Sequence, residues 1–249
     1  MQAPQLRPRR PSEILDAAFQ IVRAHYAVVL LASAVFLVPS VLLMLALPEG
    51  HPVSGIADRL LTIAASTAVL AVTSDIYTGE EANVRRSITE VASRFGSVVG
   101  SAILQGVLLV IGLLLLVVPA FIFYAWSFAM QAVVILEGVR ATDSFGRSRA
   151  LAKGYVGHIL ATLVIAWLIV GVVFFGGIFA LSAVFETGGI DERFADVFSG
   201  ILVCLVYPFI SVVTTVLYYD LRIRQEGFDV EFLAGKMDDA ESDALPFGA

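Results

Sequence analysis

Five long stretches of the chain contain no charged residue, and they decide what it can fold into. The longest covers residues 95–136. As one α-helix it would be about 63 Å long at 1.5 Å per residue, whereas the hydrocarbon core of a bilayer is about 30 Å thick. A charged side chain at the bilayer midplane costs at least about 2.5–3.5 kcal/mol, so stretches like these indicate membrane-spanning helices. The longest stretch has to cross twice, and the five stretches therefore predict six spans.

The predicted fold is an all-α bundle of six transmembrane helices. The expected spans, which make residues 1–226 one integral membrane domain, are residues 24–48, 55–77, 96–118, 120–137, 156–185 and 197–219. Proline lacks an N–H and its ring clashes with the preceding turn, so we expect Val118, Pro119 and Ala120 to form the turn between the third and fourth spans. The charge-free stretch of the second span is short, because only residues 60–74 separate Arg59 from Asp75. The span 55–77 therefore includes both of these charged residues near its ends.

Composition supports this assignment and describes the end of the chain. Hydrophobic residues make up 58% and charged residues 15%, against roughly 45–50% and about 25% in soluble domains. A soluble single domain is therefore excluded. Residues 227–249 are acidic, and the last dozen of them are poor in large apolar groups, which predicts a mobile tail.

The distribution of basic residues predicts the orientation. Six spans place both termini on one side, and every Lys and Arg except Arg59 and Arg193 falls on that side. Basic residues accumulate in cytoplasmic loops. Both termini are therefore expected in the cytoplasm.

Three amphipathic segments precede the first, third and fifth spans, and they end at Arg23, Arg94 and Lys153. Their apolar residues recur at helical spacing, which predicts interfacial helices on the cytoplasmic face. The basic residues are dispersed over all inner loops and the net charge is −6. We therefore expect anionic lipids, rather than nucleic acid, as their partner.

No catalytic constellation is visible in the sequence. His25, His51 and His158 lie near different predicted interfaces, outside any metalloprotease, hydrolase or nucleotide-binding motif. We expect these histidines to have no catalytic role, and we expect no metal and no cofactor. Tyr218 and Tyr219 end the sixth span and are expected in the interfacial aromatic belt.

Seven residues inside the spans are candidates for packing or solute binding. Helices interrupted by proline and polar side chains at mid-depth are typical of transporters, although amides and hydroxyls also join helices without any transport role. A GxxxG pair is typical of close helix contacts, within the chain or between protomers. The candidates are Pro39 and Pro208, the polar residues Gln105, Gln131 and Thr214, and the glycine pair Gly96 and Gly100.

Several segments resemble the membrane domain associated with bacterial glycerophosphoryl diester phosphodiesterases. The segments that carry the likeness are residues 7–10, 13–16, 126–128, 136–138, 144–149 and, above all, 217–229 with the sequence LYYDLRIRQEGFD. In the full-length enzymes a separate soluble domain hydrolyses the diester, and this chain has no residues left for one. The resemblance thus implies a stand-alone multi-pass protein of a bacterial cytoplasmic membrane, without catalytic residues.

Two functions follow from these expectations. The first is a non-catalytic accessory or scaffold protein that organises lipids or an unidentified membrane partner. The alternative is a transporter or flippase-like carrier of a small or lipidic solute, which Pro39, Pro208 and the amides of Gln105 and Gln131 favour.

Overall fold

The computed structural model describes residues 7–47, 52–185, 192–228 and 230. Over these residues the regular structure is helical, without a strand. The helices in chain order are α1 (Pro11–Ala46), α2 (Pro52–Thr78), α3 (Val84–Leu115), α4 (Val117–Ser127), α5 (Met130–Ala132) with the π-helical turn Val133–Glu137, α6 (Ala141–Ala152), α7 (Val156–Phe185), α8 (Glu192–Val206) and α9 (Pro208–Glu226).

The all-α bundle is confirmed, and six of its helical segments are long and apolar enough to cross a membrane. Their bounds are Pro11–Ala46, Pro52–Thr78, Val84–Leu115, Val117–Glu137, Val156–Ala180 and Phe198–Glu226. This architecture fits a multi-pass membrane protein. The end of the bundle that carries Arg23, Arg94 and Lys153 is called the basic end below.

The second span, which has the shortest charge-free stretch in the sequence, is the central helix of the bundle. In α2, 61% of the most apolar window is buried inside the protein, compared with 17% in α3. The mean hydropathy of that window of α2 is only 1.5. A helix surrounded by protein meets little lipid, so its Ser and Thr side chains can bond to neighbouring helices.

The turn between the third and fourth spans lies earlier than the sequence predicts. The chain reverses at Leu116, and Pro119 lies in the first turn of α4. A proline is tolerated there because the N–H groups of a first turn have no partner within the helix. Leu116 has φ 149°, in a region that favours glycine.

One of the three amphipathic segments is not a separate helix, because the second begins α3 without a break. The first is separated from the rest of α1 by a kink at His25, where the backbone angles are non-helical. The third forms its own helix, α6, because Gly154 adopts φ +81° and ends it before α7. The first and third segments are thus separated from their spans close to Arg23 and Lys153, where the hydrophobic pattern changes.

The predicted tail is described only at its start. Gly227 ends α9 with φ +65°, and the Phe228 ring lies 4.2 Å from the guanidinium carbon of Arg222. The acidic residues that predicted a mobile tail lie outside the described residues.

Candidate functional site

A polar cavity lies between α2, α3, α4, α5, α7 and α9, near the middle of the bundle. Its volume is about 210 Å³. All of its lining side chains are uncharged; they are Ser66, Leu70, Gln105, Leu109, Tyr124, Phe128, Gln131, Trp167, Tyr207, Ile210, Ser211 and Thr214. This central cavity brings together Gln105, Gln131 and Thr214, three of the candidates named from the sequence.

Gln105 reaches the cavity because it supports a break in the fourth span. The α-helix stops after Ser127, and the next helical segment begins at Met130. Gln105 Nε2 donates to the Ser127 carbonyl oxygen at 3.1 Å, and the backbone N–H of Ala129 donates to Ser148 Oγ at 3.2 Å. Side chains from α3 and α6 thus satisfy backbone groups at the interruption, which is how broken helices persist in membrane proteins.

Gln131 and Gln105 both retain hydrogen-bonding capacity at the cavity. The Oε1 of Gln131 accepts a long bond of 3.4 Å from Ser66 Oγ. Among the residues that the structure describes, Nε2 of Gln131 and Oε1 of Gln105 have no partner. One donor and one acceptor are therefore available to a guest molecule.

Pro208 shapes the opposite wall. Pro208 is the first residue of α9 and follows Tyr207, which keeps helical backbone angles. The missing N–H of Pro208 removes one backbone hydrogen bond from the sixth span without ending the helix there. The lining residues Tyr207, Ser211 and Thr214 recur at a spacing that places them on one helix face. The Thr214 hydroxyl donates to the Ile210 carbonyl at 2.8 Å.

An apolar groove of about 340 Å³ between α7 and α8 shares a wall with the central cavity. The groove is lined by Trp167, Val170, Gly171, Phe174, Phe175, Val203, Val206 and Tyr207. Trp167 and Tyr207 line both spaces, and their rings contact edge to face with centroids 6.4 Å apart. The indole N–H of Trp167 donates to the Tyr124 hydroxyl at 3.0 Å, which fixes this shared wall.

The other three candidates lie away from the cavity lining. Pro39 is exposed on α1, which continues through it, so the predicted interruption of the first span is wrong. Gly96 is also exposed, and a side chain there would meet nothing within 4 Å. Gly100 packs against Ala141 of α6. The GxxxG pair therefore does not form a two-glycine contact within the described part of the chain.

A second polar cluster, the Asp220 junction, holds three segments together at the basic end. The Asp220 side chain is fully buried. Its Oδ1 accepts from the backbone N–H of Arg9 at 2.6 Å, and its Oδ2 lies 3.1 Å from His158 Nε2 and 2.7 Å from Arg224 Nε. Arg224 also donates to the Arg9 carbonyl at 2.6 Å. His158, expected from the sequence to be without a role, thus helps to compensate a buried carboxylate.

The Glu137 cluster lies beside this junction. Arg147 binds Glu137 through both carboxylate oxygens at 2.7 and 3.0 Å, and it also binds Glu226, with one bond of 3.0 Å. These bonds, first to Glu226 and then to Glu137, raise the pKa of Arg147 above its ordinary value. Tyr218 donates to Glu137 at 2.7 Å. The cluster joins the π-helical turn, α6 and α9.

The interfacial belt predicted for the two tyrosines is wrong. Tyr218 is fully buried and Tyr219 is 5% exposed. The hydroxyls of Tyr219 and Ser74 lie 2.5 Å apart, and the Tyr219 ring stacks on Tyr77 with centroids 5.1 Å apart. Both rings belong to the core because α9 packs between α2 and α7 at the basic end.

Sequence reasoning missed Ser66, Tyr124 and Trp167 in the cavity and Asp220 at the basic end. Ser66 could have been found, because a span of low hydropathy has to direct its hydroxyls toward protein. The signal for Asp220 lay in residues 217–229, the segment that carries the strongest family likeness. Tyr124 and Trp167 carry no such signal in the sequence.

Among the described residues, no group of three His, Cys, Asp or Glu side chains could hold a metal ion. No family model, curated protein or solved structure matches the chain. The resemblance described above thus stays a prediction.

Proposed function

We propose that this protein is a carrier of a small polar or lipidic solute, which it binds in the central cavity. The observation that supports the proposal is the convergence of Gln105, Gln131 and Thr214, from separate spans, on one uncharged cavity. The cavity adjoins the break in the fourth span and lies next to Pro208 in the sixth. Helices with such irregularities at a mid-depth site are typical of transporters.

Two further expectations complete the proposal. The distribution of Lys and Arg favours a bacterial cytoplasmic membrane with the basic end in the cytoplasm. The absence of a recognisable catalytic motif in the sequence favours a non-catalytic role.

The test is transport by the purified full chain in proteoliposomes. Release of trapped polar solutes and scrambling of fluorescent lipids are each measured against protein-free vesicles. Gln131→Leu removes the free amide from the cavity and should abolish most of the protein-dependent rate. Gln20→Leu is the matched control, because Gln20 is exposed on α1. Equal rates in the two variants, or no rate above the empty vesicles, would refute the carrier.

A second candidate is an accessory protein that organises anionic lipids, and a separate observation favours it. The basic end exposes side chains from several helices and loops, which are Arg10, Arg23, Arg85, Arg140, Arg149 and Lys153. The guanidinium carbon of Arg149 lies 4.4 Å from the centroid of the Trp126 ring. This contact places the Arg149 cation against the indole ring of Trp126. Exposed cations near a membrane attract anionic headgroups.

Native mass spectrometry of the gently solubilised chain separates the two candidates. Retained phosphatidylglycerol that is lost from an Arg85→Gln, Arg140→Gln, Arg149→Gln variant supports the accessory role, as does a stoichiometric second protein. A retained solute or lipid lost from Gln131→Leu supports the carrier.

A further inference from the structure

The central cavity and the apolar groove together have the form of a site for a two-part molecule. The cavity is smaller than the roughly 300–1,000 Å³ that encloses a drug-sized ligand, so it suits only a small polar group. The groove adjoins the cavity, and Trp167 and Tyr207 line both spaces. Because the groove lies within spans, it opens toward the acyl chains of the bilayer, and Phe175 is 71% exposed there.

The chemistry of the cavity defines the polar group. Gln131 offers an amide donor and Gln105 an amide acceptor, whereas none of the lining side chains is charged. An anionic phosphate at this depth would be desolvated without a counterion in the lining, at a cost of several kcal/mol. A hydroxyl or amide group needs only hydrogen bonds, and the cavity provides both kinds.

The apolar groove indicates the chemistry of the second part of the ligand. Phe174, Phe175, Val203 and Val206 line it, together with Gly171. A Cβ added at Gly171 would meet nothing within 4 Å, so the groove has room beside the α7 backbone. Its volume of about 340 Å³ and its apolar lining suit a single hydrocarbon chain.

The geometry points to an uncharged amphiphile as the ligand, with a hydroxyl- or amide-bearing headgroup in the central cavity and one acyl chain in the apolar groove. This inference rests on the proposed carrier function and names its substrate class. Trp167 and Tyr207 contact the headgroup on the side that faces the cavity and the acyl chain on the side that faces the groove.

Tryptophan quenching by a brominated monoacylglycerol tests the inference directly. The chain has two tryptophans, so Trp126→Phe leaves Trp167 as the reporter. The full chain is placed in phosphatidylcholine nanodiscs, and a monoacylglycerol brominated on its acyl chain is titrated in. We expect saturable quenching that unbrominated monoacylglycerol reverses, whereas lysophosphatidylglycerol and the fatty-acid methyl ester reverse it at least about tenfold less effectively.

Two variants and a matched control locate the binding. Gly171→Leu fills the groove and Gln131→Leu removes the headgroup donor, and each should weaken binding by about tenfold, equivalent to about 1.4 kcal/mol. Gly176→Leu adds the same side chain to the same helix in open space outside the groove and should leave binding unchanged.

Three outcomes would overturn the inference: quenching that never saturates, equal competition by the anionic lysolipid or the methyl ester, and no effect of Gly171→Leu. Failure of the carrier function is distinguishable from these. If free glycerol alone competes, and its flux in proteoliposomes depends on Gln131, the carrier stands and the amphiphile is refuted. If neither flux nor scrambling depends on Gln131, the carrier itself is refuted.

Discussion

Replacing Asp220 by Asn should release the N-terminal segment from the bundle. The carboxylate accepts from Arg9 through one oxygen and from His158 and Arg224 through the other. An Asn side chain has only one oxygen, so at least one of these donors is left facing an NH₂ group. Losing one hydrogen bond to a charged group costs about 1.5–3 kcal/mol. The local opening equilibrium should therefore rise by about tenfold to a hundredfold.

Trypsin measures this opening at one peptide bond. Arg7 and Arg10 both precede proline and resist trypsin, which leaves the bond after Arg9 as the cleavable site of this segment. Cleavage of a transiently opened segment follows the population of the open form. We expect the variant to lose its first nine residues about tenfold or more faster than the parent chain, as read by intact-mass spectrometry in detergent.

An exposed ion pair at the same end provides the control. Glu90 binds Arg86 on α3 with both side chains substantially exposed, and exposed pairs of this kind contribute little. Glu90→Gln should leave the cleavage rate unchanged. If Asp220→Asn also leaves the rate after Arg9 unchanged, the carboxylate does not hold the segment and the reasoning fails.

Three further changes test the packing. Gly112→Leu should separate the α3–α4 hairpin, because a Cβ at Gly112 would lie 2.7 Å from the Ala120 Cα. The thermal unfolding midpoint of this variant should fall by several degrees. Gly106→Leu places the same side chain in open space, and its midpoint should match that of the parent chain. Leu116→Gly relieves the positive φ and should stabilise the chain by about 1 kcal/mol; a lower midpoint would contradict the strain. Arg147→Lys keeps the charge but cannot form the forked bonds to two carboxylates, so hydrogen exchange in α6 should accelerate, and unchanged exchange would show that the fork is dispensable.

The helices were predictable from the sequence because a lipid environment imposes length and hydropathy on each span. Even the weak second span follows this rule once α2 is recognised as the central helix. What hydropathy does not contain is the rotation of each helix about its own axis. Gly96 and Gly112 both lie on α3, yet only Gly112 meets a neighbouring backbone, because the turn at Leu116 decides which face the hairpin buries.

The cavity was predictable in part for the same reason. Gln105, Gln131 and Thr214 are polar residues within apolar spans, so each had to face protein. Their surroundings include the break after Ser127 and the proline at position 208, and only the proline is visible in the sequence. No local pattern in the sequence predicts the break after Ser127, because the side chains that support it, Gln105 and Ser148, are distant along the chain.

The Asp220 junction has a consequence for how the protein is made. Arg9 leaves the ribosome early, but the carboxylate that holds it lies 211 residues later, at the end of the last span. During synthesis the amino-terminal segment therefore has no Asp220 carboxylate to bind until every helix of the bundle has entered the membrane. A chain stalled or truncated before Asp220 would keep that segment accessible, so the cell's proteases could distinguish unfinished copies from finished ones at the amino-terminal end.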